Sequence, residues 1–387
     1  MSLDYQNILL IKLRYIGDSI NLLPVASNIK KQLPNAHLSV MINSGAEDIL
    51  SHSKDIDQLI CYDRHKMKHN KSLFSKIKSN LDFFCAVRNA KYDLVIDFSG
   101  SDRAALITFL SGSKNRWGFN YRDPLTSDPF KTDSVKRRGD SRRVSPLLRL
   151  CYHHFIAADI SKMHILDYQF SALQQMGFEI RDKKLSIYIP PNIQNDVAVK
   201  FPFLNRESFK AVIHPGARMI NRRWPGASFA EIANLLKKHY NADIILVSAP
   251  EERQLLDEVG DAIDGEVVRL SDLSLIQLAA LIKKCDLYIG NDTGTSHLAA
   301  AVGVKIVTLF GPQFPLLWAP YTDKGATVFK NLECTGPCNH IECIYDENRC
   351  MTLITVDEAW ETINQLISKY PKSEEIYLPQ NYSLNAE

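Results

Sequence analysis

The seven residues Asn7-Ile-Leu-Leu-Ile-Lys-Leu13 place apolar side chains on both faces of an extended strand. A parallel strand covered on both sides is the structure that hides such a run. A polar loop, Arg14 to Asp18, follows it, and then a helical pattern through Leu22, Leu23, Val25 and Ile29. The succession continues with strands expected at His37 to Ile42, Gln58 to Tyr62 and Tyr92 to Phe98, and a helix over Leu73 to Ala90. It resumes later in the chain. Strands at Lys210 to His214, Asp243 to Ser248, Asp286 to Gly290 and Lys305 to Phe310 alternate with helices at Phe229 to Tyr240, Leu275 to Lys284 and Ser296 to Val302. Alternation of this kind predicts an α/β chain with doubly wound parallel sheets.

At 387 residues the chain exceeds one ordinary core, so two α/β domains are expected. The alternation lapses from Tyr121 to Arg149 and again around Pro190-Pro191. We read an N-terminal domain over 1–185, a linker over 186–208, a second domain over 209–354, and a C-terminal helix and tail over 355–387. The last helix starts near Thr355, where Thr355 and Glu358 have capping-box spacing. A formal net charge of +2 argues against nucleic acid as a partner. The polar start and the lack of an apolar run of about 18–20 residues point to a cytoplasmic protein. In that compartment thiols stay reduced, so Cys61, Cys85, Cys151 and Cys285 are expected as small buried hydrophobes. Cys334, Cys338, Cys343 and Cys350, with His340 among them, are close enough to hold a structural zinc. Their spacing lacks the tight C-x2-C pairs of such sites, and reduced structural thiols are the favoured reading.

In open α/β sheets, ligands bind outside the carboxyl ends of the strands. Three loops in that position carry chemistry. The first, Arg14-Tyr-Ile-Gly-Asp18, brings Asp18 to a helix start, where the loop taken alone favours a simple helix cap. The second is Asn291-Asp-Thr-Gly-Thr-Ser-His297 before the small-residue helix Leu298-Ala-Ala-Ala301. Backbone N–H groups over Thr293, Gly294, Thr295 and Ser296 make an anion site at a helix N-terminus. Asp292 repels phosphate and suits a sugar hydroxyl, while the helix dipole disfavours the charged form of His297. The competing reading is an ordinary cap followed by a core histidine. The third loop runs from His214-Pro-Gly-Ala-Arg218 to Arg222-Arg-Trp-Pro225, whose guanidinium groups suit phosphate oxygens.

Taken in order, these blocks resemble the ADP-heptose:lipopolysaccharide heptosyltransferases, glycosyltransferase family 9. The resemblance rests on Ile8-Leu-Leu-Ile-Lys-Leu-Arg-Tyr-Ile-Gly-Asp18, Arg222-Arg-Trp-Pro225 and Asn291-Asp-Thr-Gly-Thr-Ser-His-Leu-Ala-Ala-Ala301, followed by Leu309-Phe-Gly-Pro312 and Trp318-Ala-Pro320. It implies a GT-B fold, two Rossmann-like domains facing a cleft, with the donor on the C-terminal domain and the acceptor on the N-terminal one. It also implies an inverting transfer of heptose from ADP-heptose to a lipopolysaccharide core acceptor, with no metal and no cofactor. By position, Asp18 resembles the catalytic base and Arg222 the residue that neutralises the donor diphosphate. Asp292, Thr293, Gly294 and His297 match the donor-binding turn. Thr295 departs from the residue relatives often carry. Glu251 resembles the carboxylate that holds the adenosine ribose, with Glu252 the alternative in a shifted alignment. The segment from Tyr121 to Arg149 has no counterpart in the family.

An inverting transfer needs one base on the acceptor hydroxyl and donors that stabilise the leaving diphosphate. Asp18, and Arg222 with the Thr293–Ser296 backbone, fit those roles. Competing readings are a same-fold transferase using another nucleotide sugar, a non-catalytic lipopolysaccharide-binding protein, and a nucleotide-sugar epimerase or NAD enzyme. The first loop lacks the G-x-G-x-x-G fingerprint, which counts against a dehydrogenase. The basic run from Lys131 to Arg149 is expected to bring the protein into peripheral contact with the inner membrane or with acceptor phosphates.

Overall fold

The computed structural model describes residues 3–62, 73–118, 148–332, 343 and 349–371. They form two compact units, one built from the described residues of Met1–Pro190 with Phe314–Tyr321, the other from the remaining described residues. In the first unit lie β1 (Asn7–Lys12), β2 (His37–Asn43), β3 (Gln58–Tyr62), β4 (Leu94–Asp97), β5 (Asn115–Gly118) and β6 (His154–Phe155). They pair in the order β3-β2-β1-β4-β5-β6, every neighbour parallel. Its helices are α1 (Ile16–Ile20), α2 (Leu23–Lys30), α3 (Glu47–Leu50), α4 (Leu73–Asn89), α5 (Asp102–Leu110) and α6 (Ile165–Gln175).

The second unit repeats the plan. It contains β7 (Lys210–His214), β8 (Asp243–Val247), β9 (Val268–Leu270), β10 (Leu287–Asn291), β11 (Lys305–Phe310) and β12 (Gly325–Phe329), ordered β12-β11-β10-β7-β8-β9 and again all parallel. Its helices are α7 (Pro191–Lys200), α8 (Gly226–Tyr240), α9 (Arg253–Asp261), α10 (Leu275–Ile282), α11 (Gly294–Val302) and α12 (Val356–Lys369). Counted within its own unit, each sheet has the order 3-2-1-4-5-6 of a dinucleotide-binding fold. The strand order reverses between β1 and β4 in one unit and between β7 and β10 in the other. Ligands bind at such reversals.

The strands form because their runs are buried on both faces. Ile8, Leu9, Leu10 and Ile11 of β1 and Ala211, Val212 and Ile213 of β7 are all inaccessible to solvent. The second core gathers Trp224, Phe229, Ile232 and Leu236 against Leu246, Ile289 and Leu309. Helix α12 belongs to that core through Ala359, Ile363 and Leu366, so the C-terminal helix is part of the second unit and not an appendage. Burying side chains of this size contributes roughly 1.5–3 kcal/mol each. The expected cap is present: Glu358 N–H donates to Thr355 Oγ1 at 3.2 Å, and Thr355 N–H returns to Glu358 Oε2 at 3.0 Å.

Two expectations change. The segment read as a linker holds α7 and the 3-10 turn Pro202–Asn205, and α7 packs on α10. Proline at a first helical position lacks only an N–H that would have no partner there, so Pro191 opens a helix. Cys151 is buried as expected and Cys285 partly so, but Cys61 and Cys85 are exposed. Two of the four clustered cysteines, Cys334 and Cys338, and the basic run as far as residue 147 lie outside the described residues. No described helix is long and apolar enough to cross a membrane.

Candidate active site

In the first unit the strand ends are tied together by Ser99, just past β4. Leu13 N–H donates to Ser99 Oγ at 2.7 Å, and Arg14 donates to the Ser99 carbonyl through Nε at 3.0 Å and Nη2 at 2.8 Å. Ser99 is itself fixed by Asp97, whose Oδ1 accepts from its N–H at 2.6 Å while Oδ2 accepts from Tyr152 OH at 2.7 Å. Burial pushes both the Asp97 carboxyl and the Tyr152 phenol up from their ordinary pKa values. Asp18 sits in the third position of α1, and Tyr15 is the N-cap. Asp18 is therefore not the N-cap residue itself. It pairs with Lys12 Nζ at 3.0 Å, in a site where the two side chains are 10% and 3% exposed.

In the second unit Asn291, inaccessible to solvent, joins three loops. Its Oδ1 accepts from Trp224 N–H at 3.0 Å, and its Nδ2 donates to the carbonyls of Pro215 at 2.8 Å and Gly216 at 3.2 Å. This brings the turn carrying Arg222 beside the loop after β10. Arg222 Nη1 donates to Asp292 Oδ2 at 3.1 Å, residues 70 apart in sequence. Arg222 Nε and both amide atoms of Asn221 are buried with no hydrogen-bond partner among the described residues. The N-terminal turn of α11 follows, with His297 buried in it. Its hydroxyls form a directed chain. Thr293 Oγ1 donates to the Asn291 carbonyl at 3.3 Å, so Thr295 Oγ1 donates to Thr293 at 2.8 Å and Tyr288 OH to Thr295 at 2.8 Å. Ser296 Oγ closes the turn by donating to the Thr293 carbonyl at 2.6 Å.

The two glutamates of the Pro250–Glu252 turn separate. Glu251 is exposed. Glu252 turns inward and accepts from Arg223 Nη2 at 2.8 Å, while Arg223 Nε donates to the Ala217 carbonyl at 2.7 Å. The Glu252 carboxylate occupies the space a Cβ at Gly216 would need, so a side chain there would displace the carboxylate from this position. His214, at the end of β7, is pushed below its ordinary pKa by burial, against the opposing pull of Glu252. It is therefore neutral near pH 7.

The candidate residues thus collect at the two strand-order reversals: Asp18 in one unit; Arg222, Asp292, Thr293, Gly294, Thr295 and His297 in the other. Glu251 stands apart on the surface of its turn. Ser99 and Tyr288 were not singled out from sequence, and Lys12 and Asn291 were read only as members of their motifs, with no role of their own. Lys12 had a visible signal, a charge inside an otherwise apolar buried strand. A separate concavity of about 180 Å³, lined by Leu23, Pro24, Ile49 and Tyr188 among others, contains none of these residues. Among the described residues, no group of three or more His, Cys, Asp or Glu is arranged to hold a metal ion.

Residues 81–348 match glycosyltransferase family 9 (heptosyltransferase). The chain is 23% identical over 315 residues to lipopolysaccharide heptosyltransferase 3 of Escherichia coli, covering 80% of this chain and 85% of the relative. It is 26% identical over 324 residues to lipopolysaccharide heptosyltransferase 1 of Salmonella typhimurium, covering 81% and 91%. Among solved structures, a glycosyl transferase family 9 protein from Veillonella parvula superposes with a TM-score of 0.78 at 19% identity, covering 95% of this chain and 99% of that one. E. coli heptosyltransferase WaaC with ADP gives 0.67 at 20%, covering 93% and 100%. The fold is therefore the GT-B class that the motifs implied, the protein is a glycosyltransferase enzyme, and the chain belongs to glycosyltransferase family 9.

Proposed function

We propose that this enzyme transfers heptose from ADP-heptose to a lipopolysaccharide core acceptor, with inversion at the anomeric carbon and without a metal ion. The observation that carries the donor side is the buried, incompletely bonded Arg222 Nε and Asn221 amide next to the α11 turn. Buried polar groups of this kind cost about 1–3 kcal/mol each when unpaired, and a polyanionic ligand accepts from the two donors among them, Arg222 Nε and Asn221 Nδ2. Arg222 and the first N–H groups of α11 receive the diphosphate, and Asp292 receives a sugar hydroxyl while holding Arg222. For the adenosine ribose, the inward position of Glu252 favours it over the exposed Glu251.

In the reaction the acceptor oxygen forms a bond to the anomeric carbon as its proton passes to the Asp18 carboxylate. The bond from that carbon to the diphosphate oxygen breaks on the opposite side, and ADP leaves with the electron pair. Arg222 and the helix dipole stabilise the growing charge. Peripheral contact with an anionic membrane belongs to the same reading, because a lipopolysaccharide acceptor is membrane-bound.

Replacing Asp18 by Asn tests the proposal. Turnover, followed as ADP release with an extracted core acceptor, should fall by about two orders of magnitude or more while ADP affinity persists. Near-normal turnover removes Asp18 from the mechanism. Faster release with a different nucleotide sugar than with ADP-heptose rejects the donor assignment.

A further inference from the structure

Lysine is the least expected residue in β1. The other buried members of the strand are aliphatic, yet Lys12 is 2% exposed. Its ammonium donates to the Phe98 carbonyl at 3.0 Å and pairs with Asp18 Oδ1 at 3.0 Å. A neutral donor would satisfy the carbonyl at far less desolvation cost. Stability does not explain the charge either, since buried ion pairs add little over apolar side chains of similar volume. Its counter-charge does explain it. The pair links β1, the β4 end and α1 at the point where the strand order reverses.

The charged groups around Asp18 leave that role to Lys12. From the loop after β1, Arg14 is taken by the Ser99 carbonyl. From β4, Asp97 is taken by Tyr152 OH and by the Ser99 and Gly100 N–H groups. Against α1 packs α3, with Asp48 and with Glu47, which accepts from Gly45 N–H.

We propose that Lys12 is the positioning residue of Asp18: its buried ammonium keeps the carboxylate ionised and fixes its direction toward the acceptor hydroxyl. This rests on the reading of Asp18 as the base. The informative substitution is Lys12→Gln, which retains a donor for the Phe98 carbonyl and removes the charge. Loss of an opposite charge at this distance raises a carboxyl pKa by about 1–3 units, so the acidic limb of the kcat/KM–pH profile should move up by that amount. At about pH 5 kcat should drop about 2- to 100-fold, recover toward neutral pH, and leave the KM for the donor within about twofold. Lys12→Arg should restore part of kcat. A Lys12→Gln enzyme with unchanged kcat and an unmoved acidic limb overturns the proposal. If that variant does not fold, the unmodified enzyme decides: an acidic limb at or above the ordinary carboxylate value of about 4 contradicts a charge-stabilised base, and one below it supports the pairing. The two readings fail separately. Normal turnover in Asp18→Asn sinks the base assignment itself; an inactive Asp18→Asn with an unmoved limb in Lys12→Gln sinks only the role of the lysine.

Discussion

Replacing Asn291 by Asp changes one NH2 into one oxygen and little else in shape, so its effect isolates the bonds that join the second unit's loops. The bond from Trp224 N–H survives, because the remaining Oδ1 still accepts it. The new oxygen faces the carbonyls of Pro215 and Gly216, which the amide met at 2.8 and 3.2 Å. Oxygen against oxygen at these distances is repulsive in a site inaccessible to solvent. The folded protein escapes most of that cost by protonating the acid, whose O–H can donate to one of the two carbonyls. Holding an aspartate neutral near pH 7 costs about 1.4 kcal/mol per unit above its unfolded value of about 3.9, hence about 4 kcal/mol. Losing the second carbonyl's bond adds about 1 kcal/mol.

The sign follows from linkage. The folded pKa is raised, so the folded state binds the extra proton. Stability is therefore fully present below about pH 4 and falls as pH rises toward the folded value. Thermal unfolding of the variant and the parent at about pH 5 and about pH 7 reads this directly. The gap should widen by about 2.7 kcal/mol between them, or about 5–11 °C for a unit of this size. Asn291→Ala provides the control: it strips all three bonds and should destabilise by a few kcal/mol without pH dependence. An Asn291→Asp gap that stays constant, or that widens on acidification, refutes the assigned orientation of the amide.

Arg222→Ala should weaken ADP binding about 10- to 100-fold by calorimetry, the scale of a lost charge-assisted bond; unchanged ADP affinity removes Arg222 from the donor site. Tyr288→Phe breaks the hydroxyl chain at its start, leaving Thr295 without the donor that orients it, and should lower stability by about 1 kcal/mol with a few-fold loss of donor affinity; an unaltered KM for the donor would show that the chain does not hold the turn in place. Activity should survive EDTA, and a loss reversed by added magnesium or manganese contradicts the metal-free reading. Neutralising Arg137, Arg138, Arg142 and Arg143 together should weaken binding to anionic liposomes at low salt, each charge contributing up to about 1 kcal/mol; equal binding assigns that run no membrane role.

The sheet centres were legible because they are buried on both faces. Runs such as Lys210–His214 and Lys305–Phe310 carry the signal in composition alone, and their limits were read correctly. The margins were less so, although the edge strand β3 was read with its limits, Gln58–Tyr62. Strand β5 reads Asn-Arg-Trp-Gly, β6 has only two residues, and the side chains of β9 are all half-buried. An edge strand is recruited by backbone pairing with a neighbour that is already in place. That neighbour is distant in sequence, so no local pattern announces it. Helix α7 was missed for a related reason: only Val197 is buried, and Pro190-Pro191 suggested a linker.

For the site, sequence located loops but not the bonds between them. The order of strand, short loop and helix placed Asp18 and the Asp292–His297 turn where ligands bind, because topology alone puts those loops at a strand-order reversal. Which side chains meet there depends on packing over long separations. Arg222 reaches Asp292 across 70 residues, and Asn291 gathers Pro215, Gly216 and Trp224 from the far side of the same reversal. The adjacent pair Glu251 and Glu252 shows the limit most clearly. Nothing in Ser-Ala-Pro-Glu-Glu distinguishes them. The distinction comes from residue 216, where the absence of a Cβ leaves room for one carboxylate, and from Arg223, whose guanidinium bridges that carboxylate to the Ala217 carbonyl. A glycine and an arginine in one loop thus select the glutamate of another, and the selection becomes visible only when β7 and β8 lie side by side.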